Sequence, residues 1–425
     1  MKTVIMASEK SLLKLCGVPL IKRLLYTLRA ADLRDVIIVT GPGGHTLKEV
    51  VGGGQDLGMC ITYVEDLPQL GRMLNEAFLV VEGDYVLDER ILKKLAQGEG
   101  MAIAYDSRAK GGIQVAVEGG RVRALCHSEG DGAYVGASRC APEVPPILKG
   151  HNWTAFLAEV VHSSDFAALD VASIEPYVAE IRRELPPLWF RIESQDDLDR
   201  GKRMLVEGAQ KRTLDVLAWY FNRPIENWII YHIADLPITP NLMSVLTYLV
   251  AFSVTFLLFS GQLLPASLLA FVVNVMDGLD GKLARVKGMA TKLGQLEHSF
   301  DLLYEQSWYI ALAWAVHGLR GDLLPLALGF AALLFDSFAR HISMQFRQVM
   351  GVALADYAPF DRLFRRFDGR RNIYTIYILL ATIFGVPLYA LLAIAVHALL
   401  TSVVYAFRAA KHLRHADLGL TTRQR

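Results

Sequence analysis

Hydrophobic and polar positions follow two different patterns along this chain. Up to about residue 235, short β-branched runs alternate with amphipathic segments. "KTVIMA" is followed by "PLIKRLLYTLRAA", then by "DVIIVTG" and "HTLKEVV"; "CITYVED", "AFLVVEGDYVLD", "ERILKKLAQ" and "MAIAYD" continue the series. Strand, helix, strand, helix at this spacing predicts a doubly wound, mostly parallel sheet. "GIQVAVEGGRVRALC" reads instead as a hairpin turning at Gly119 and Gly120. "WFRIESQDDLDRGKRMLVEG" closes the half as a strand leading into a helix. Beyond residue 235 come apolar stretches of membrane-spanning length. Six spans fit, at about 242–260, 263–283, 295–317, 322–347, 372–386 and 387–407. The fifth is short, and Pro387 marks a tight turn into the sixth. The predicted organisation is an α/β domain over 1–207, a linker over 208–240 and an all-α transmembrane domain over 241–425. The linker, "RTLDVLAWYFNRPIENWIIYHIADLPITPN", mixes Trp and Tyr with charges. It reads either as an interfacial helix with its aromatics at headgroup level or as a soluble amphipathic helix packed on the first domain.

Composition sharpens this picture. Apolar residues make up 53% of the 425, and the mean hydropathy of +0.30 is concentrated in the second half. Lys+Arg is 44 against 43 Asp+Glu; a net charge near zero argues against a nucleic-acid partner. Cys16, Cys60, Cys126 and Cys140 form no CxxC pair and read as reduced structural thiols. "MKTVIMASEKSLLKL" has neither a long apolar core nor a small-residue cleavage site, so no signal peptide is expected. Arg285, Lys287 and Lys292 make the segment between spans two and three basic. Arg362, Arg365, Arg366, Arg370 and Arg371 do the same between spans four and five, and the tail after Arg408 is basic too. The opposite loops carry little charge. The positive-inside rule therefore predicts a multi-pass protein of the cell membrane with its first domain and both termini cytoplasmic.

The chemistry concentrates in "DGLDGKLARVKGMATKLGQLEHSFD", Asp277 to Asp301. Asp277 and Asp280 are i,i+3 at the end of the second span; Glu297 and Asp301 are i,i+4 at the start of the third. A short turn between the two would bring four carboxylates together. Their mutual repulsion at low dielectric calls for divalent cations. Hard oxygen ligands point to Mg²⁺, Mn²⁺ or Ca²⁺ rather than zinc. Gly281 and Ala284 leave space beside Asp280 for a close-approaching ligand, and Lys282 and Arg285 supply positive charge suited to a diphosphate. The bland alternative is a set of surface charges pairing with one another in a helix connector.

Asp277, Asp280, Gly281, Ala284, Arg285 and Gly294 match the signature Asp-x2-Asp-Gly-x2-Ala-Arg-x8-Gly-x3-Asp-x3-Asp. The segment thus resembles the CDP-alcohol phosphotransferases, membrane enzymes of phospholipid and related polar-lipid synthesis. The ending departs: the strict register puts His298 and Leu302 at the last two acidic positions. Deleting one residue after Gly294 aligns Glu297 and Asp301 instead. The resemblance implies six transmembrane helices, and transfer of a substituted phosphate from a CDP-alcohol to an acceptor hydroxyl with release of CMP. It implies two cations, Mg²⁺ or Mn²⁺, on Asp277, Asp280, Glu297 and Asp301. Asp301 would also take the acceptor proton, with His298 as a rival base. Gly281, Lys282, Ala284 and Arg285 would line the nucleotide pocket. "LPITPNLMS", with Asn241 and Ser244, resembles the family's Pro-Asn-x-x-Thr entry to its first helix. Arg340, Arg347, Arg370 and Arg371 are candidates for an acceptor phosphate; an Asp336–Arg340 pair tying helices together is the competing reading. A homodimer is compatible with all of this.

The first half resembles the sugar-phosphate and inositol-phosphate nucleotidyltransferases, with a Rossmann-like fold. Lys10, Gly17, Pro19, Leu20 and Ile21 match, and Asp84 takes the place of a metal-binding aspartate. Arg191 and Glu193 replace two other aspartates. The family's Gly-x-Gly-Thr-Arg phosphate loop is missing, since two residues alone separate "TVIMA" from Lys10, and they cannot build a backbone cradle. A catalytically degenerate domain is expected. The alternatives are a bifunctional enzyme that makes its own CDP-alcohol, and a carboxylate-lined ion transporter with a soluble regulatory domain. Which CDP-alcohol and which acceptor are used is left open; the fused first domain tilts the reading toward the inositol-phosphate type.

Overall fold

The computed structural model describes the chain except for residues 42–43, 66, 127–128, 143, 145–152, 180, 213–214, 292 and 420–425. Lys292 and the end of the basic tail therefore lie outside the described residues. Two units are present. The first comprises 1–211, 234–237 and 285–289; the second comprises 212–233, 238–284 and 290–425.

The first unit is built on a nine-stranded sheet. Its strands are β1 (Lys2–Met6), β2 (Asp35–Val39), β3 (Cys60–Val64), β4 (Phe78–Glu82), β5 (Met101–Asp106), β6 (Gln114–Glu118), β7 (Arg121–Cys126), β8 (Gly132–Cys140) and β9 (Phe166–Asp170). Their order is β3-β2-β1-β4-β8-β5-β9-β7-β6. The first four are mutually parallel, as the alternating pattern predicts. β8 then runs antiparallel to both β4 and β5, so "mostly parallel" holds for one half of the sheet. The hairpin β6–β7 turns at Gly119 and Gly120 as expected, both with positive φ (60° and 78°), which a two-residue turn of this hand requires. Alternate residues feed opposite faces. Val4, Ile37, Val39 and Val80 join one core with Trp153 and Leu157. Ile5, Val36, Ile38, Leu79 and Val81 join the other with Ile21, Leu25 and Leu28 of the helix Leu20–Ala30 and Ile91 and Leu92 of the helix Glu89–Gln97. This two-sided burial is why these strands read as nearly continuous apolar runs.

The second unit is helical: α1 (Arg223–Ile233), α2 (Pro240–Phe259), α3 (Leu263–Met276), α4 (Leu279–Lys287), α5 (Glu297–Arg320), α6 (Leu324–Met350), α7 (Leu354–Tyr357), α8 (Pro359–Phe364), α9 (Arg371–Ile383) and α10 (Pro387–Asp417). The last residues of α4 fall in the first unit. Pro240 sits in the first turn of α2, with the Thr239 hydroxyl accepting from the Leu242 N–H, a standard helix entry. Among the described residues, four helical stretches are long and apolar enough to cross a membrane: α2, α3 with α4, α6 and α10. The segments predicted as the third and fifth spans are helical, as α5 and α9, and neither is among those four. α5 opens with charges, and α9 has 13 residues, about 20 Å at 1.5 Å per residue. The buried seam of the unit runs through Ala251, Ala266, Ala270, Tyr304, Trp308, Leu312, Ile378, Leu391 and Ala398. Small residues there let helices approach closely: a Cβ on Gly329 would lie 2.5 Å from the Ala313 Cβ. Leu249, Phe256, Phe330, Leu334 and Phe407 point outward, as side chains facing lipid do.

Candidate active site

The charged motif sits where the helix made by α3 and α4 is interrupted. Asp277 caps α3, Gly278 follows, and α4 begins at Leu279. Gly278 is required by space: a Cβ there would stand 2.6 Å from the Glu226 carboxylate of α1. One turn on, Asp280 is 3% exposed. Its Oδ2 accepts from the Ser244 hydroxyl at 2.5 Å and its Oδ1 from the Gly281 N–H at 2.6 Å. The Glu297 carboxyl lies within hydrogen-bonding reach of Asp280. Glu297, His298 and Asp301, on the first turns of α5, bring ligand atoms within 4.8 Å of one another, with His298 Nδ1 3.4 Å from Asp301 Oδ2. Tyr248 on α2 lies within electrostatic range of Asp277, Asp280, Glu297 and Asp301. Of the four carboxylates singled out by spacing, Glu297 and Asp301 thus share one cluster with His298, and Asp280 is linked to it through Glu297.

Asp277 is held by groups outside the motif. The Tyr304 hydroxyl donates to its Oδ1 at 2.8 Å, and Arg371, the first residue of α9, pairs with Oδ2 at 2.6 Å and Oδ1 at 3.2 Å. Arg371 also donates to the Tyr304 hydroxyl and pairs with Glu305 at 3.0 Å. Glu305 in turn pairs with Arg340, whose Nε is 2.8 Å from Asp336. Asp277, Arg371, Glu305, Arg340 and Asp336 form a chain of alternating charge. The Asp336–Arg340 pair foreseen as a helix tie is therefore present, within a longer network.

The remaining expected residues are placed as follows. Lys282 is 1% exposed and donates to Glu226 Oε2 and Asn227 Oδ1, each at 2.8 Å. Arg285, in the first unit, donates to the Ala209 carbonyl at 2.7 Å. Both basic side chains expected to face a diphosphate are thus engaged with protein groups. Gly281 and Ala284 are half-buried beside Asp280, and Asn241 is exposed at the start of α2. Arg370 pairs with Asp368 at 3.2 Å, and Arg347 is exposed on α6. Trp308 packs in the core and its indole donates to the Ala251 carbonyl, as a span-packing residue would. Tyr248, Tyr304 and Glu226 were not foreseen as site residues. The first two carry a signal in hindsight: Tyr248 is one turn after Ser244, and Tyr304 is three residues after Asp301.

In the first unit, β1 leads directly into a turn over Glu9–Leu12. Ser8 N–H donates to the Ser11 hydroxyl, Ser11 N–H to the Ser8 carbonyl and Leu13 N–H to the Lys10 carbonyl. Asp84 is paired with Arg191 at 2.9 Å, and Arg191 with Glu193 at 2.5 Å. Neighbouring Glu82 accepts from Thr154 at 2.8 Å, and burial pushes its carboxyl up to about 6.

Four acids spaced in this way at the end of an apolar helix pair are what the CDP-alcohol phosphotransferase signature describes. Residues 237–405 match the family model of the CDP-alcohol phosphatidyltransferases, so the resemblance read from the motif holds over that region. The chain is 27% identical over 408 residues to a "Bifunctional IPC transferase and DIPP synthase" of Rubrobacter xylanophilus, covering 90% of this chain and 88% of that one. It is 24% identical over 409 residues to a protein of the same description from Aquifex aeolicus, covering 88% and 87%. A solved inositol-1-phosphate CTP transferase from T. maritima aligns with 46% of this chain and 90% of its own, at 17% identity and a TM-score of 0.37.

Proposed function

We propose that the chain is a membrane-embedded CDP-alcohol phosphotransferase. The observation that carries this is the cluster of Glu297, His298 and Asp301, with Asp277 and Asp280 of the same motif in electrostatic range of it, inside the region that matches the family. The donor set suits hard divalent cations. Arg371 offsets the charge of Asp277, while Asp280, Glu297 and Asp301 add negative charge nearby, a crowding that favours bound cations. Two ions, Mg²⁺ or Mn²⁺, held by these four residues would neutralise the diphosphate and polarise the transferred phosphoryl group. The acceptor oxygen bonds to phosphorus, the bond to CMP breaks, and Asp301 receives the acceptor proton with His298 as the rival base. Gly281, Ala284 and Asn241 border the nucleotide. Arg340, Arg370 and Arg371 are engaged in ion pairs, whereas Arg347 is exposed, which favours Arg347 as the acceptor-phosphate contact. The relatives' description as IPC transferase and DIPP synthase supports a phosphorylated polyol chemistry of the inositol type. In this reading α5 and α9 serve as the remaining two of six spans, and the basic segments favour a cytoplasmic side for the termini and the first domain. The exposed rings of Tyr220, Phe221 and Trp228 support an interfacial seat for the linker.

The test is CMP release by the purified chain in detergent from a panel of CDP-alcohols, CDP-inositol with inositol phosphate among them, with and without EDTA. Release should require the metal. Asp277→Asn and Asp280→Asn should each lose on the order of 10²-fold or more; turnover near wild type in either would sink the reading.

A second reading is favoured by one observation: similarity to proteins described as bifunctional spans both units. The first unit would then make the CDP-alcohol from CTP. The internally bonded turn at Glu9–Leu12 and the Asp84–Arg191 pair support loss of that activity instead. Pyrophosphate release from CTP and a phosphorylated alcohol would establish the bifunctional reading.

A further inference from the structure

We infer that Tyr304 and Arg371 are positioning residues that preorganise Asp277 for cation binding; this rests on the metal-site reading above. Three features carry it. First, both oxygens of Asp277 are engaged, by Tyr304 at 2.8 Å and by Arg371 at 2.6 and 3.2 Å. A carboxylate gripped at both oxygens has one orientation, whereas a carboxylate repelled by Asp280, Glu297 and Asp301 would otherwise rotate away from them. Second, Arg371 cannot swing aside easily. It is itself held by Glu305 at 3.0 Å, and Glu305 is braced by Arg340, which is braced by Asp336 at 2.8 Å. The grip is anchored on α6, not on a mobile side chain. Third, among the described residues the buried Arg371 Nε has no hydrogen-bond partner. The guanidinium gives up a donor to keep this pose, which an arginine recruited only for charge would not do.

The planar fork matters here, because a lysine offers a point charge and cannot bind both oxygens at a fixed angle. Charge and positioning also predict opposite signs. By charge alone, a cation beside the site repels metal, so removing it should tighten binding. By positioning, spoiling the grip should weaken binding. Loss of partners that orient a ligand typically costs about 10–100-fold in metal affinity.

The experiment titrates the full-length purified protein with Mn²⁺, following free Mn²⁺ by electron paramagnetic resonance, alongside turnover at saturating Mn²⁺ and the unfolding midpoint. Tyr304→Phe keeps the ring and should raise the Mn²⁺ Kd about 10-fold, with kcat at saturating metal within about twofold of wild type. Arg371→Lys keeps the charge, loses the fork, and should raise the Kd at least as much. If Arg371→Lys fails to fold, Tyr304→Phe still decides. Wild-type Kd in Tyr304→Phe, or a kcat loss without a Kd change, would overturn the inference alone. A wild-type protein that binds no Mn²⁺ would overturn the metal-site reading and the inference with it.

Discussion

Replacing Lys282 by methionine separates a structural from a nucleotide-binding role for that side chain. Its ammonium is buried, 2.8 Å from Glu226 Oε2 and 2.8 Å from Asn227 Oδ1. Glu226 is itself hemmed in, because Gly278 comes so close that a Cβ would lie 2.6 Å from its Oε1. Lys282→Met keeps most of the volume and leaves the Glu226 carboxylate buried without its cation. Breaking one side of a buried pair costs about 3–5 kcal/mol. At roughly 2–4 °C per kcal/mol for a unit of this size, the midpoint should fall by about 6–20 °C. Adding Glu226→Met removes the stranded charge, and the double variant should recover most of the loss, since an apolar pair often replaces a buried ion pair at little cost. Fluorescence-monitored unfolding in detergent reads the midpoint, and CMP release reads activity. A midpoint within about 2 °C of wild type for Lys282→Met, with a raised KM for the CDP-alcohol that the double variant does not correct, would refute the structural role and return Lys282 to the nucleotide pocket.

Two further outcomes follow. Ser244→Ala removes the 2.5 Å donor to Asp280 and should weaken Mn²⁺ binding by up to about 10-fold, while Ser244→Thr should retain it; equal Mn²⁺ affinity in all three proteins would show that this hydroxyl does not hold Asp280. Glu82, raised by burial from 4.5 to about 6, is protonated more readily folded than unfolded, so its contribution to stability is full below pH 4.5 and is lost as pH rises through 6, about 2 kcal/mol in all. Glu82→Gln should therefore gain midpoint over wild type at pH 7.5 and not at pH 4, and a gain of the same size at both would show the shift to be absent.

What the sequence makes legible, and what it hides, divides along the reach of the interaction. The four acids are readable because i,i+3 and i,i+4 spacing puts neighbours on one helical face. Arg371 is 94 residues from Asp277, and its pairing depends on which helix α9 packs against, which no local period encodes. β8 is not among the strands the alternating pattern marks, and its antiparallel insertion between β4 and β5 depends on chain topology. The register after Gly294 lies between these cases: spacing alone allows His298 or Glu297 as the third acidic position, both lie in one cluster with Asp301, and packing around Asp280 favours Glu297. Glu297 reaches Asp280, whereas the His298 side chain is 64% exposed and 3.4 Å from Asp301. Glu297→Gln should accordingly weaken metal affinity by roughly 10²-fold or more, with activity partly restored by excess Mg²⁺ or Mn²⁺. Asp301→Asn should lower turnover with no rescue, because added metal does not replace a base. His298→Asn should be milder than either, since the ring borders the cluster without being needed to complete it. Turnover measured against metal concentration for the three variants decides the matter. If His298→Asn is inactive while Glu297→Gln is nearly normal, the third acidic position belongs to His298, and the one-residue deletion after Gly294 is wrong.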